Sequence, residues 1–142
     1  MRQDGGLRKL FRKHLPHVHW TSIESRFTES GIPDIHGLYA GADFFIELKL
    51  TKGWAVNLRP SQIAWILRRV RNGGRVFIAV RRKGSNGADE LYLVPGSQVR
   101  LLARRGLPRG LVWYGRSPSH WDWPAVLGAL QNTPRKAHSR GF

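Results

Sequence analysis

The sequence predicts a single α/β domain, a mixed central β-sheet flanked by helices. Two observations carry that prediction. Short β-prone runs alternate with segments of helical spacing, in the order α-β-β-β-α-β-β with additions. No internal repeat and no linker divides the 142 residues, a length that suits one domain with a sizeable core.

Each element has its own signal. Leu7, Leu10 and Phe11 recur at helical spacing from Asp4 to His14, and Pro16 ends that segment. His17 to Glu24 alternates loosely through Val18, Trp20 and Ile23 and suits a strand. Phe27 to Pro33 reads as a loop. Asp34 to Tyr39 reads as a short strand, Ala40 to Ala42 as a hairpin turn around Gly41, and Asp43 to Leu50 as the clearest strand of the chain. Pro60 opens a helix, where its missing N–H is harmless, with Ile63, Ile66, Leu67 and Val70 as its apolar stripe. Gly73 and Gly74 stop it. Arg75 to Val80 (RVFIAV) is a continuous β-prone run, as expected of a buried strand. A turn over RRKGSNGADE leads to a strand at Leu91 to Val94, a short helix from Ser97 to Arg104, an edge strand at Leu111 to Tyr114 and a short helix from Trp121 to Leu130. The domain is expected over 1–131, with a mobile basic tail over 132–142.

Charge sets the class of partner. Lys and Arg number 24 against nine Asp and Glu, a formal net charge of +15. Nucleic acid is the leading candidate, because clustered cations neutralise phosphates and release counterions. There is no cysteine, which excludes disulfides and thiolate metal sites. The N-terminus has no apolar signal-peptide core, and no apolar run approaches the about 20 residues of a membrane span. A cytoplasmic protein with no membrane partner is expected.

The chemistry concentrates in GIPDIHGLYAGADFFIELK, residues 31–49. Strand alternation puts Glu47 and Lys49 on one face and Phe44, Ile46, Leu48 and Leu50 on the other. The apolar face fixes the register, since a slip of one residue would bury the charges. If the turn at 40–42 pairs the two strands antiparallel, Asp34 lies near Glu47 and Lys49 at one end of the sheet. Two adjacent carboxylates repel, and a hard divalent cation such as Mg²⁺ relieves that repulsion. Bound to Asp34 and Glu47, with the Leu48 backbone carbonyl as a further ligand, it could activate water and neutralise a scissile phosphate. Lys49 could orient or deprotonate the water, or stabilise a pentavalent phosphate.

GIPD, then IELK, then a helix opening with RPSQ together resemble the PD-(D/E)XK nuclease superfamily. Within it the chain is similar to the small virus-type nucleases (VRR-NUC) and Holliday junction resolvase-like proteins, over roughly residues 20–82, inside a core motif region of 17–82. The resemblance implies a restriction-endonuclease-like core, α-β-β-β-α-β. It makes Asp34 and Glu47 the metal ligands, Lys49 the catalytic lysine and Gln62 the supporting glutamine. An upstream acid commonly completes such sites. Glu24 is the candidate here, with Glu29 the lesser one, because the first helix carries no Glu. The resemblance further implies an Mg²⁺-dependent endodeoxyribonuclease (Mn²⁺ substituting), acting as a homodimer on branched DNA such as a four-way junction, and a phage-like origin.

Plainer readings stand beside these. Lys49 can pair with a carboxylate on a solvated strand face, and Gln62 can be an exposed first-turn residue. Ser61 is as well placed to cap the helix locally as to touch phosphate. Asp43 belongs to the turn. His14, His17 and His19 lack further ligands at a familiar metal spacing. Trp65, Trp113, Trp121 and Trp123 fill a core or stack on bases. Arg59, Ser61, Arg68, Arg69, Arg81, Arg82 and Lys83 are the candidate DNA contacts, with Arg71 in the first basic run and Arg135, Lys136 and Arg140 adding non-specific contacts from the tail. The alternatives to a junction nuclease are a nickase, fork, flap or restriction-type enzyme, and a non-catalytic DNA-binding protein of the same fold.

Overall fold

A computed structural model describes residues 4–24, 30–107 and 117–132. The elements are α1 (Leu7–His14), β1 (His19–Ser22), β2 (Ile35–Tyr39), β3 (Ala42–Thr51), α2 (Pro60–Arg71), β4 (Val76–Lys83), β5 (Asp89–Pro95), α3 (Val99–Arg105) and α4 (Trp123–Asn132). They form one α/β domain around a five-stranded mixed sheet in the order β1-β2-β3-β4-β5. β3 and β4 are parallel, joined by a crossover through α2, and every other neighbouring pair is antiparallel.

The β2–β3 hairpin turns at Ala40 and Gly41, both at positive φ (50° and 79°). That is the backbone a tight two-residue connection needs, and Gly41 adopts it without strain. Its register, Tyr39 opposite Ala42 and Ile35 opposite Ile46, sets everything downstream.

Both faces of the sheet are covered. α1 and α4 pack Leu7, Phe11, Val126 and Leu130 on Phe44, Ile46, Leu48, Phe77, Ala79, Leu91 and Leu93. α2 and α3 pack Ile66, Val99 and Leu102 on Val76, Ile78, Val80, Tyr92 and Val94, with Phe45 partly buried beside them. Successive residues of β3 and β4 serve opposite layers, as the two-residue period requires. This explains why RVFIAV reads as continuous rather than alternating.

The structure shifts several expected boundaries. α1 starts at Leu7, after a turn in which the Asp4 carboxylate accepts from the Gly6 N–H. β4 and β5 reach further into the expected turn than the sequence suggests, to Lys83 and from Asp89. Cross-strand ion pairs extend the ladder there: Arg81 with Asp89, and Arg82 with Glu90. α4 begins at Trp123 rather than Trp121. The expected strand at 111–114 and the basic tail lie outside the described residues, apart from Asn132, which closes α4. Among the described residues no helix is long and apolar enough to cross a membrane.

Candidate active site

Three segments meet where β2 ends. β2 pairs with β3 only as far as Ile35 opposite Ile46, while β3 runs on to Thr51. The Phe45 N–H points towards β4, donating to the Arg75 carbonyl (3.0 Å). By alternation the N–H and C=O of Leu48 point the other way, to the side where β2 has stopped. Asp34 occupies that place: its Oδ2 accepts from the Leu48 N–H at 2.9 Å. The Leu48 carbonyl is directed to the same side.

The loop before Asp34 is held against α2. Gly31 has φ +90°, and a Cβ there would lie 2.2 Å from the Ser61 carbonyl oxygen. Only glycine permits that approach, so the glycine of GIPD is a packing requirement that seats Asp34 beside the start of α2.

Glu47 is not on a solvated face. It is 3% exposed, covered by α2, and Gln62 is buried with it. The Gln62 amide nitrogen donates to Glu47 Oε2 (2.9 Å). Gln62 Oε1 accepts from Lys49 Nζ (3.1 Å) and from the Arg59 N–H (2.9 Å), the second being half of a capping box. Lys49 Nζ also lies 3.6 Å from Glu47 Oε2. Both ends of the Gln62 amide are therefore engaged: its helix cap fixes the amide, and the amide fixes Glu47 and Lys49. Both plain readings, an exposed first-turn glutamine and a solvated lysine pair, are replaced by a buried network. In the native register Glu47 is buried and Lys49 half-buried, and partners rather than solvent make that tolerable.

Burial, and then the neighbouring Asp34 carboxylate with which it shares a hydrogen bond, push the Glu47 carboxyl up to about 8, with Lys49 opposing. A buried carboxyl whose ionisation is opposed by a half-buried carboxylate neighbour suits a cation. Among the described residues no three His, Cys, Asp or Glu side chains come together. Asp34, Glu47 and the Leu48 carbonyl could together offer oxygen donors of the kind that Mg²⁺ takes alongside several waters.

The remaining candidates fall into three groups. Glu24 is exposed just beyond β1, where the Ile23 N–H donates to the Asp34 carbonyl, and it does not join Asp34 and Glu47 in a three-acid cluster. Glu29 lies outside the described residues. Arg59 and Arg68 are exposed, Ser61 and Lys83 half-buried. Arg69 is exposed and lies over the Phe45 ring at 4.7 Å. Arg82 is engaged by Glu90 and stacked over Trp54 at 4.0 Å. Arg81 is buried, with its guanidinium donating to both Asp89 oxygens (2.8 Å each) and to the Gly5 carbonyl. These partners make it a structural tie. Trp121 and Trp123 are core residues whose indole N–H groups donate to the Asp89 and Pro118 carbonyls, and Trp65 packs edge-on against Phe45. Trp113 lies outside the described residues. Asp43 pairs with His36 near the turn (3.0 Å), and His14 stacks on Trp123.

Sequence reasoning missed Arg8. Its guanidinium donates to the Asp34 carbonyl (3.1 Å) and lies 3.8 Å from Asp34 Oδ1. The available signal was a first helix with five cationic or titratable basic side chains and no acid, LRKLFRKH.

No protein-family model matches the chain, and no curated protein matches it in sequence. Among solved structures it is similar to Hjc, a Holliday junction resolvase from the archaeal hyperthermophile Archaeoglobus fulgidus. The identity is 14%, the TM-score 0.44, and the match covers 65% of this chain and 75% of that one.

Proposed function

We propose that this chain is a divalent-metal-dependent endonuclease of the PD-(D/E)XK superfamily that hydrolyses phosphodiester bonds in DNA. The observation that carries the reading is the meeting of Asp34, Glu47, Lys49 and the Leu48 carbonyl where β2 gives out, fixed by Gln62. A DNA-binding protein gains nothing from two adjacent carboxylates, one of them buried, unless a cation accompanies them.

Asp34, Glu47 and the Leu48 carbonyl would hold Mg²⁺, with Mn²⁺ able to substitute, and the bound ion supplies charge neutralisation at the scissile phosphate and acidifies the attacking water. The residues of the chain do the rest. Gln62 holds the Glu47 carboxylate and the Leu48 N–H holds that of Asp34. Lys49 presents its ammonium beside them, 3.1 Å from Gln62 Oε1, where it orients the water and stabilises charge on the pentavalent phosphate. The water oxygen forms the new P–O bond as the bridging P–O bond to the leaving sugar breaks. The exposed Arg59 and Arg68 and the neighbouring Arg69 supply salt-sensitive phosphate contacts.

Branched DNA cut by a homodimer is the substrate and assembly we assign, by resemblance to the resolvase-like and virus-type nucleases. The test uses labelled four-way junction, fork, linear duplex and single strand, with Mg²⁺ or EDTA, for the wild type and Lys49→Ala. Symmetric paired cuts in the junction alone, abolished by EDTA and reduced by about 10²–10⁴ in the variant, are expected. Cutting of every substrate sinks the junction assignment and keeps the enzyme. Binding without cleavage in either metal sinks the enzyme.

A further inference from the structure

Beside Asp34, on the opposite side from α2, an open groove of about 450 Å³ is lined by Asp4, Gly6, Arg8, Lys9, Arg12 and Ser22. Three cations face it against one carboxylate, and that carboxylate is turned to the helix start, accepting from Gly6 at 2.9 Å and lying 3.6 Å from Arg8. We propose that this groove, between α1 and the end of β1, seats a backbone phosphate of the DNA strand next to the one being cut. The inference rests on the nuclease reading and adds a phosphate subsite to it, on a helix that the basic runs of α2 and β4 do not include.

Three observations support it independently of one another. The cations are pre-arranged: Arg12 donates to the Ser22 hydroxyl at 2.7 Å and Arg8 to the Asp34 carbonyl at 3.1 Å, so each guanidinium is already drawn over the groove. Their spacing also works against the helix. Arg8 and Arg12 are like charges at i and i+4, which opposes helix formation, while the core contacts of α1 come from Leu7 and Phe11, with Leu10 partly buried beside them. The location is also right, because Arg8 spans the groove and Asp34, 3.8 Å from its carboxylate. A strand whose scissile phosphate sits at Asp34 and Glu47 passes along α1 on one side of that point.

The experiment measures binding of duplex and junction DNA by fluorescence anisotropy in EDTA across a salt series, and cleavage in Mg²⁺ separately. The variants are Lys9→Ala/Arg12→Ala, the charge-keeping Lys9→Arg/Arg12→Lys, and Arg100→Ala/Arg104→Ala. The last removes the same charge from exposed positions of α3, on the other layer of the sheet. The groove predicts at least a tenfold loss of affinity for the first variant and a salt slope shallower by about 1–2, with near wild-type behaviour for the other two. Equal losses for the first and third variants, no loss in the first, or no DNA binding by the wild type would overturn the groove. Cleavage indifferent to Lys9 and Arg12 leaves the nuclease standing without the groove. Groove-dependent binding with no cleavage in any metal leaves the groove and removes the nuclease. Urea denaturation of each variant separates lost contacts from lost folding.

Discussion

Replacing Glu47 with Gln should make the metal-free protein more stable at alkaline pH while removing its response to metal. The Glu47 carboxyl rises from an ordinary 4.5 to about 8 in the folded protein, by burial first and by Asp34 second. The native state therefore holds a proton that the unfolded chain releases above pH 4.5. Between pH 4.5 and 8 the unfolded state binds fewer protons, so stability falls as pH rises, and above 8 the loss is complete. At about 1.4 kcal/mol per unit, the difference between 4.5 and 8 sets a ceiling of about 5 kcal/mol. Gln is close to isosteric, its amide oxygen can still accept from Gln62, and it never ionises. Urea unfolding in EDTA, followed by tryptophan fluorescence at pH 5, 7 and 9, should show the two proteins within about 1 kcal/mol at pH 5. By pH 9 the variant should lead by several kcal/mol. Taking the difference between proteins removes the titration of His14, whose lowered value, caused by burial and by Lys13, acts in the opposite direction. Mg²⁺ should recover stability in the wild type at pH 8 and leave the variant unmoved, because only a ligand bound by the folded form adds to its stability. A stability difference between the two proteins that is the same at pH 5 and pH 9 would refute the reasoning.

Three further outcomes follow from the same geometry. Gly31→Ala meets the Ser61 carbonyl at 2.2 Å and a φ of +90°, so it should cost about 2–4 kcal/mol by chemical denaturation and lower cleavage more than DNA affinity. Gln62→Ala strips partners from Glu47, Lys49 and the Arg59 N–H together. It should destabilise by about 1–3 kcal/mol and steepen the fall of stability with pH, readable in the same urea series. Arg81→Ala leaves Asp89 buried and unpaired; a loss of about 3–5 kcal/mol is expected, with an unchanged salt slope of DNA binding in whatever fraction remains folded.

The site was legible in the sequence because its parts are local to a hairpin. A turn at 40–42 and two-residue alternation are enough to place Asp34 near Glu47 and Lys49. The burial of Glu47 was not legible. It depends on α2 folding back over β3, and alternation along one strand does not say what covers its second face. Gln62 shows the same limit: its position on α2 was readable, whereas its engagement with three partners at once is a tertiary result. Runs of basic residues misled where charge was taken as a surface property. Arg81 follows Val80 in a buried strand and finds Asp89 across the hairpin, eight positions on, which a count of charges does not reveal. The basic first helix was visible throughout, but only Arg8 reaching Asp34 gave it a place beside the site.

The tie between Arg81 and the Gly5 carbonyl spans 76 positions of the chain. Every side chain assigned to chemistry lies before Ile63, yet the helix carrying Arg8 is tethered by a residue from β4 that in turn is held by β5. The half of the sequence that carries the proposed catalytic groups is therefore not an autonomous unit. During synthesis its groups emerge first and wait: β3 lacks its parallel neighbour, and α1 lacks its anchor, until residues about Asp89 have arrived. Under the proposed function, the site is complete only once most of the domain exists, which would limit how much cutting an incomplete chain can do.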